Sequence, residues 1–205
     1  MFDAFDAALA ARARHADPGI RRVAMIALAE QPEPQATALL IAGLRDSDDA
    51  VRAEAARGLG DHEGTDAALA LVDALDDPSQ AVRDAVAAAL ADRGDPAIGA
   101  ALLARLSHAD AFVRAGALRA MRDLALTEAG APAVTALTDT APEVRLQAVC
   151  VLGYLRDAAN VPVLARLATD PSAAVRRAVM AALVRNAEAV PALLGGLADA
   201  DWQVR

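Results

Sequence analysis

The sequence predicts an all-α fold: a solenoid of about six helix pairs. Three features predict it. First, a Val-Arg or Ile-Arg pair recurs at Ile20-Arg21, Val51-Arg52, Val82-Arg83, Val113-Arg114, Val144-Arg145, Val175-Arg176 and Val204-Arg205. The first six arginines are 31 residues apart each time and the last gap is 29. A fixed period in this range marks stacked supersecondary units, each leaning on its neighbours. Second, apolar residues within each unit return at three- and four-residue spacing, the period of a helix face. Third, aspartate, proline and glycine gather between the periodic segments, where helix starts and turns need them.

Taken in order, residues 1–16 read as a lone cap helix whose stripe is Phe2, Phe5 and Leu9. The end of a solenoid otherwise exposes an apolar face, so terminal units are commonly atypical. Residues 17–203 hold six repeats within a single array spanning 1–205, and 204–205 begin a truncated seventh. The ending in mid-repeat is read as a fragment boundary. The second unit illustrates the others. Asp48 or Asp49 caps a helix carrying Val51, Ala55 and Leu59; Gly60 and the turn 61–64 stop it. A second helix starts near Thr65 and carries Leu71, Val72 and Leu75. Pro78 suits the first turn of the next helix. Eight residues after each Val or Ile stand Leu28, Leu59, Leu90, Met121, Leu152 and Leu183. In the last two units the second-helix leucines arrive early, which predicts shorter turns around Asn160 and Glu188. The fourth unit has the most irregular linker, Asp123 to Pro132: either its first helix runs on or the turn tucks inward.

Apolar residues make up 56% and aromatics 2% of the chain, so the core is built from small pieces. Net charge is −8, and every positive side chain is arginine. An acidic balance argues against nucleic acid, whose binders carry a basic stripe. No run of about 18 apolar residues is present, so no membrane span is expected. The N-terminus lacks the pattern of a signal peptide, and a cytoplasmic protein is the default expectation. Cys150, the single cysteine, rules out an internal disulfide and reads as a buried, inert thiol.

The unit Asp-Pro-x-x-x-Val-Arg-x-x-Ala-x-x-x-Leu, seen best at Asp170–Arg176 and Asp77–Arg83, resembles the short HEAT-like repeats first described in phycobilisome lyases. The resemblance covers residues 17–205. It implies a right-handed α–α superhelix of antiparallel helix pairs whose second helices line a concave side, and it leaves function open, because such arrays serve many tasks.

Six arginines, Arg21, Arg52, Arg83, Arg114, Arg145 and Arg176, form a ladder of stacked positions. Recurrence in every unit favours a structural role, with each guanidinium held by an acidic turn residue such as Asp48, Asp77 or Asp170. The competing reading is an anion-binding row. HEAT-like deoxyhypusine hydroxylases hold iron with His-Glu pairs directly after the Val-Arg position; here those positions read Ala53-Glu54, Asp84-Ala85, Ala115-Gly116, Leu146-Gln147 and Arg177-Ala178, without histidine. His15, His62 and His108 are assigned to surface turns, and neither a metal nor another cofactor is implied. HEAT-like DNA glycosylases need a basic track with aromatics, which Trp202 and Tyr154 do not supply. The expected function is a non-catalytic scaffold holding a protein or peptide partner with basic patches. Arg45, Asp73, Arg105 and Arg166 on the second helices are the partner-binding candidates. The alternative is an accessory factor, resembling a bilin lyase or serving metalloenzyme maturation. An uncapped C-terminal face also opens end-to-end self-association. Gly43, Gly195 and Gly196 mark second-helix positions of close approach, to a partner or to a packed helix.

Overall fold

A computed structural model of the chain describes residues 7–205 apart from 92, 94 and 185. Its regular structure is helical throughout the described residues, with thirteen α-helices. The chain forms two compact units, residues 1–101 and 102–205.

Unit 1 begins with α1 (Ala7–Arg12), whose Leu9 is buried. Phe2 and Phe5 lie outside the described residues. Three helix pairs follow: α2 (Pro18–Ala29) with α3 (Pro34–Gly43), α4 (Asp49–Gly60) with α5 (Thr65–Asp73), and α6 (Gln80–Ala91) with α7 (Pro96–Arg105), in which unit 2 begins. The first helices α2, α4 and α6 pack side by side, and α3 and α5 lie against α4 and each other. Asp17 and Asp48 cap α2 and α4 by accepting amide N–H bonds from the first turn. Gly64 enters α5 at φ 108°, a left-handed conformation that glycine adopts without a Cβ clash. Pro78 lies ahead of α6, whose first residue is Gln80, and not within its first turn.

Unit 2 holds α8 (Ala111–Asp123), α9 (Gly130–Ala136), α10 (Pro142–Leu155), α11 (Val161–Arg166), α12 (Ala173–Leu183) and α13 (Val190–Gly196). Here α10 packs between α8 and α12, while α9 lies against α10, and α11 and α13 lie against α12. The irregular fourth linker does not continue the helix. Leu126 N–H donates to Met121 C=O and Ala125 N–H to Arg122 C=O, both at 2.9 Å. This is the paired bonding that ends a helix through one left-handed residue. That residue is Ala125, at φ 54°. The turns near Asn160 and Glu188 are not shorter. A 3₁₀ turn (Ala158–Asn160 and Ala187–Ala189) occupies each, and the helices that follow are short, six and seven residues.

The core follows the repeat. Leu28, Leu59, Leu90, Met121, Leu152 and Leu183 are all at most 1% exposed, as are Val51, Val82, Val144 and Val175. Burying one such side chain contributes roughly 1.5–3 kcal/mol. Two glycines allow close packing. A Cβ on Gly43 would lie 2.6 Å from Met25 Sδ, and one on Gly196 would lie 2.7 Å from Met180 Sδ. Methionine and glycine thus pair across one interface of the first repeat and again of the sixth. Gly195 faces open space. Cys150 is half-buried, not fully buried, because it sits on the flank of α10 beside the buried Val149 and Val151.

Candidate binding surface

The arginine ladder has one geometry, repeated. In each rung, Nη1 donates to the carbonyls five and six residues back: for Arg145, Thr140 at 3.1 Å and Asp139 at 2.9 Å. The Nε and Nη2 edge grips a carboxylate of the following repeat's turn. Arg145 meets Asp170 at 2.8 and 2.9 Å, and Arg21 meets Asp46 at 2.7 Å through both nitrogens. Arg52 with Asp77, Arg114 with Asp139 and Arg176 with Asp199 do the same. The fork of two parallel donors matches a carboxylate, which makes such pairs both strong and directional. Each aspartate also accepts the backbone N–H two residues on, as Asp170 does from Ser172 at 2.8 Å. The partner of Arg21 is therefore Asp46; Asp48 caps α4 instead.

These contacts hold the aspartate carboxyls below their ordinary range. For Asp46, Asp139 and Asp170 the main cause is the arginine hydrogen bond. Asp77 is desolvated, which pushes it up, but Arg52 and the Ser79 amide outweigh that and bring it down. Asp199, beside Arg176, falls to about 2.

Arg83 departs from the pattern. The residue 25 positions on is His108, where the other rungs to Arg145 have aspartate. Arg83 keeps its bonds to Asp77 and Pro78 carbonyls and adds one to Gln80 Oε1. Its Nε is buried with no hydrogen-bond partner among the described residues. His108 and His15 occupy the aspartate position of their turns and accept the backbone N–H two residues on through Nδ1, each at 3.0 Å. Imidazole thus replaces the carboxylate as a turn acceptor without carrying its charge.

His62 is not on a surface turn. It is 7% exposed, with Nδ1 at 2.8 Å from Thr37 Oγ1 and Nε2 at 3.3 Å from Ala29 O. Both ring nitrogens are engaged, so it ties α4's end to the preceding pair. Sequence reasoning missed Arg93. Its guanidinium donates to Leu59, His62 and Gly64 carbonyls and so satisfies the free C-terminus of α4 from the next repeat. One signal pointed to it: an arginine ten residues after a ladder arginine, at the close of the first helix. Among the described residues no three His, Cys, Asp or Glu side chains cluster so as to hold a metal ion, and no helix is long and apolar enough to cross a membrane.

The second helices line open grooves. In unit 1, one of about 440 Å³ runs between the starts of α3 and α5, with Ala38 and Ile41 on one side and Glu63, Asp66 and Ala67 on the other. It meets a smaller one of about 80 Å³ at Ile41, where Arg45 and Asp73 stand together. In unit 2, a groove of about 480 Å³ is lined by Leu103, Leu106, Pro132 and Thr135 and bordered by the Arg114–Asp139 pair. Another of about 570 Å³ is bordered by Arg176 and Asp199. Of the four partner-binding candidates, the fold brings Arg45 and Asp73 together, both exposed. Arg105 is half-buried and Arg166 exposed, and neither lines the two grooves of unit 2.

No curated protein matches the chain. Among solved structures, the X-ray structure of YIBA_ECOLI is similar with TM-score 0.53 and 16% identity, covering 96% of this chain and 77% of that one. The complex of CpcE and CpcF of phycocyanin lyase from Nostoc sp. PCC7120 matches at TM-score 0.48 and 21% identity, over 93% and 81%. A designed armadillo repeat protein in complex with the peptide (KR)4 matches at TM-score 0.46 and 19% identity, over 96% and 93%. The likeness to YIBA_ECOLI speaks to the fold alone. Family-level evidence is direct: HEAT repeats match residues 6–77, 68–139 and 130–205. With the 31-residue period and the repeated arginine–aspartate rung already in view, these matches make the chain a member of the HEAT-repeat family.

Proposed function

We propose that this chain is a non-catalytic scaffold that binds a protein or peptide along its second helices. The observation that carries this reading is the set of open grooves along the second helices of each unit, floored by small and apolar residues. The first helices bury Leu28, Leu59, Leu90, Met121, Leu152 and Leu183, while Val23, Ile26 and Phe112 stay exposed on them. Leu103 in α7 is 38% exposed at a groove wall, and Ala38 in α3 is exposed at another. Grooves with apolar floors and a few polar groups at the rim are where extended or helical segments dock.

The test is capture from the source cell's lysate on immobilised protein, beside the double variant Ala38→Glu/Leu103→Glu. A protein retained by the wild type and lost from the variant supports the reading. Equal retention by both, or a co-purifying visible absorbance band in place of a protein, overturns it; the band would point to an accessory factor in tetrapyrrole chemistry.

A further inference from the structure

The two units carry different charge. Residues 1–101 hold 18 Asp and Glu against 9 Arg, net −9, and residues 102–205 hold 10 against 11, net +1. The grooves differ in the same sense. In unit 2 the charged groups lining the grooves are ladder residues, and they are paired: Arg114 with Asp139, Arg176 with Asp199 and Arg145 with Asp170. In unit 1 the larger groove is walled by Glu63 and Asp66, both exposed, with no ion pair among the described residues. Arg93 commits both terminal nitrogens to the carbonyls of Leu59, His62 and Gly64 and makes no ion pair with Glu63 or Asp66 among the described residues.

From this we infer that the groove between α3 and α5 is a docking site for a cationic peptide segment, with a Lys or Arg against Glu63 and Asp66 and an apolar neighbour on Ile41 and Ala38. The inference deepens the scaffold reading above and rests on it. Its chemistry follows from what is left over. An apolar strip beside unpaired carboxylates is complementary to a segment that alternates apolar and basic side chains. Electrostatic complementarity of this kind sets partner choice and association rate. The smaller groove beyond Ile41, with Arg45 and Asp73 side by side, is balanced in charge and would take the neutral continuation of the segment.

The experiment is fluorescence anisotropy with a labelled peptide of alternating leucine and lysine, and with its leucine–glutamate counterpart, at physiological salt. The full chain is compared with Glu63→Gln/Asp66→Asn and with Glu128→Gln/Glu188→Gln, an exposed pair in unit 2 that removes the same charge. The expected result is binding of the lysine peptide only, weakened on the order of tenfold by the first double variant and less than about twofold by the second. Equal weakening by both variants would mean that net charge alone attracts the peptide, and it overturns the inference. So does the absence of lysine-peptide binding to the wild type. After either failure, the lysate capture with Ala38→Glu/Leu103→Glu still tests the scaffold reading separately.

Discussion

The carboxylates of unit 2 that border its grooves are bound to arginine, and those of the main groove of unit 1 are not. Asp139, Asp170 and Asp199 each sit in a guanidinium fork and accept a turn amide as well. Glu63 and Asp66 line an open groove with neither. One repeat geometry therefore uses acidic side chains in two ways. Asp46, Asp77, Asp139, Asp170 and Asp199 hold one repeat to the next. Glu63 and Asp66, which do not recur with the period, face solvent at a groove.

The largest expected effect separates these two uses. Asp170→Ala leaves Arg145 without its carboxylate in a half-buried position, since the two side chains are 5% and 14% exposed. Breaking such a pair costs about 2–3 kcal/mol. Asp66→Ala changes stability by less than about 0.5 kcal/mol. Urea unfolding of both variants checks the contrast.

Acid provides the next test. The ladder aspartates have folded-state pKa values depressed below the ordinary 3.8, and Asp199 reaches about 2. A depressed carboxyl contributes its stability fully above the unfolded value and loses it as pH falls through the folded one. Stability is therefore expected to be flat near neutrality and to fall between about pH 4 and pH 2. In Asp46→Asn/Asp170→Asn this fall becomes shallower, which a pH series of thermal melts would show.

A smaller effect tests a backbone irregularity in unit 2. Ala125 holds a left-handed conformation that costs a residue with a Cβ about 1 kcal/mol. Ala125→Gly should raise stability by about 0.5–1 kcal/mol, despite the greater freedom glycine gives the unfolded chain. The smallest effect concerns the odd rung. Arg83→Gln removes no carboxylate pair and should cost under about 1 kcal/mol, whereas Arg145→Gln costs about 2. Equal losses would show that the rung is held by the turn carbonyls, which both arginines bond, and not by the carboxylate.

Much of the fold was legible because its determinants are local and periodic. The Val-Arg spacing, the Leu or Met eight residues on and the Asp caps each follow from one helix turn or one repeat. What was illegible depends on neighbours one repeat away. His62 reads as a turn residue, yet Thr37 and Ala29, 25 and 33 residues earlier, enclose it. Arg93 reaches back to carbonyls 29 to 34 residues earlier. Asp46 is the partner of Arg21 because a guanidinium spans to the next turn, so the nearer-looking Asp48 is left to cap its helix. The substitution of His108 for aspartate was visible in the sequence, but its consequence for Arg83 required the rung geometry. Of the four partner-binding candidates, Arg45 and Asp73 line one small groove, Arg45 just beyond the end of α3 and Asp73 at the end of α5. Glu63 and Asp66 were missed, because a helix start full of polar residues looks the same whether it lines a groove or not.

The most direct test of the central claim is an amide NMR titration of the full chain with the leucine–lysine peptide. Binding in the groove of unit 1 predicts saturable shifts concentrated at residues 34–41 and 63–70. Shifts centred in unit 2, or spread over the acidic surface without saturation, would contradict it.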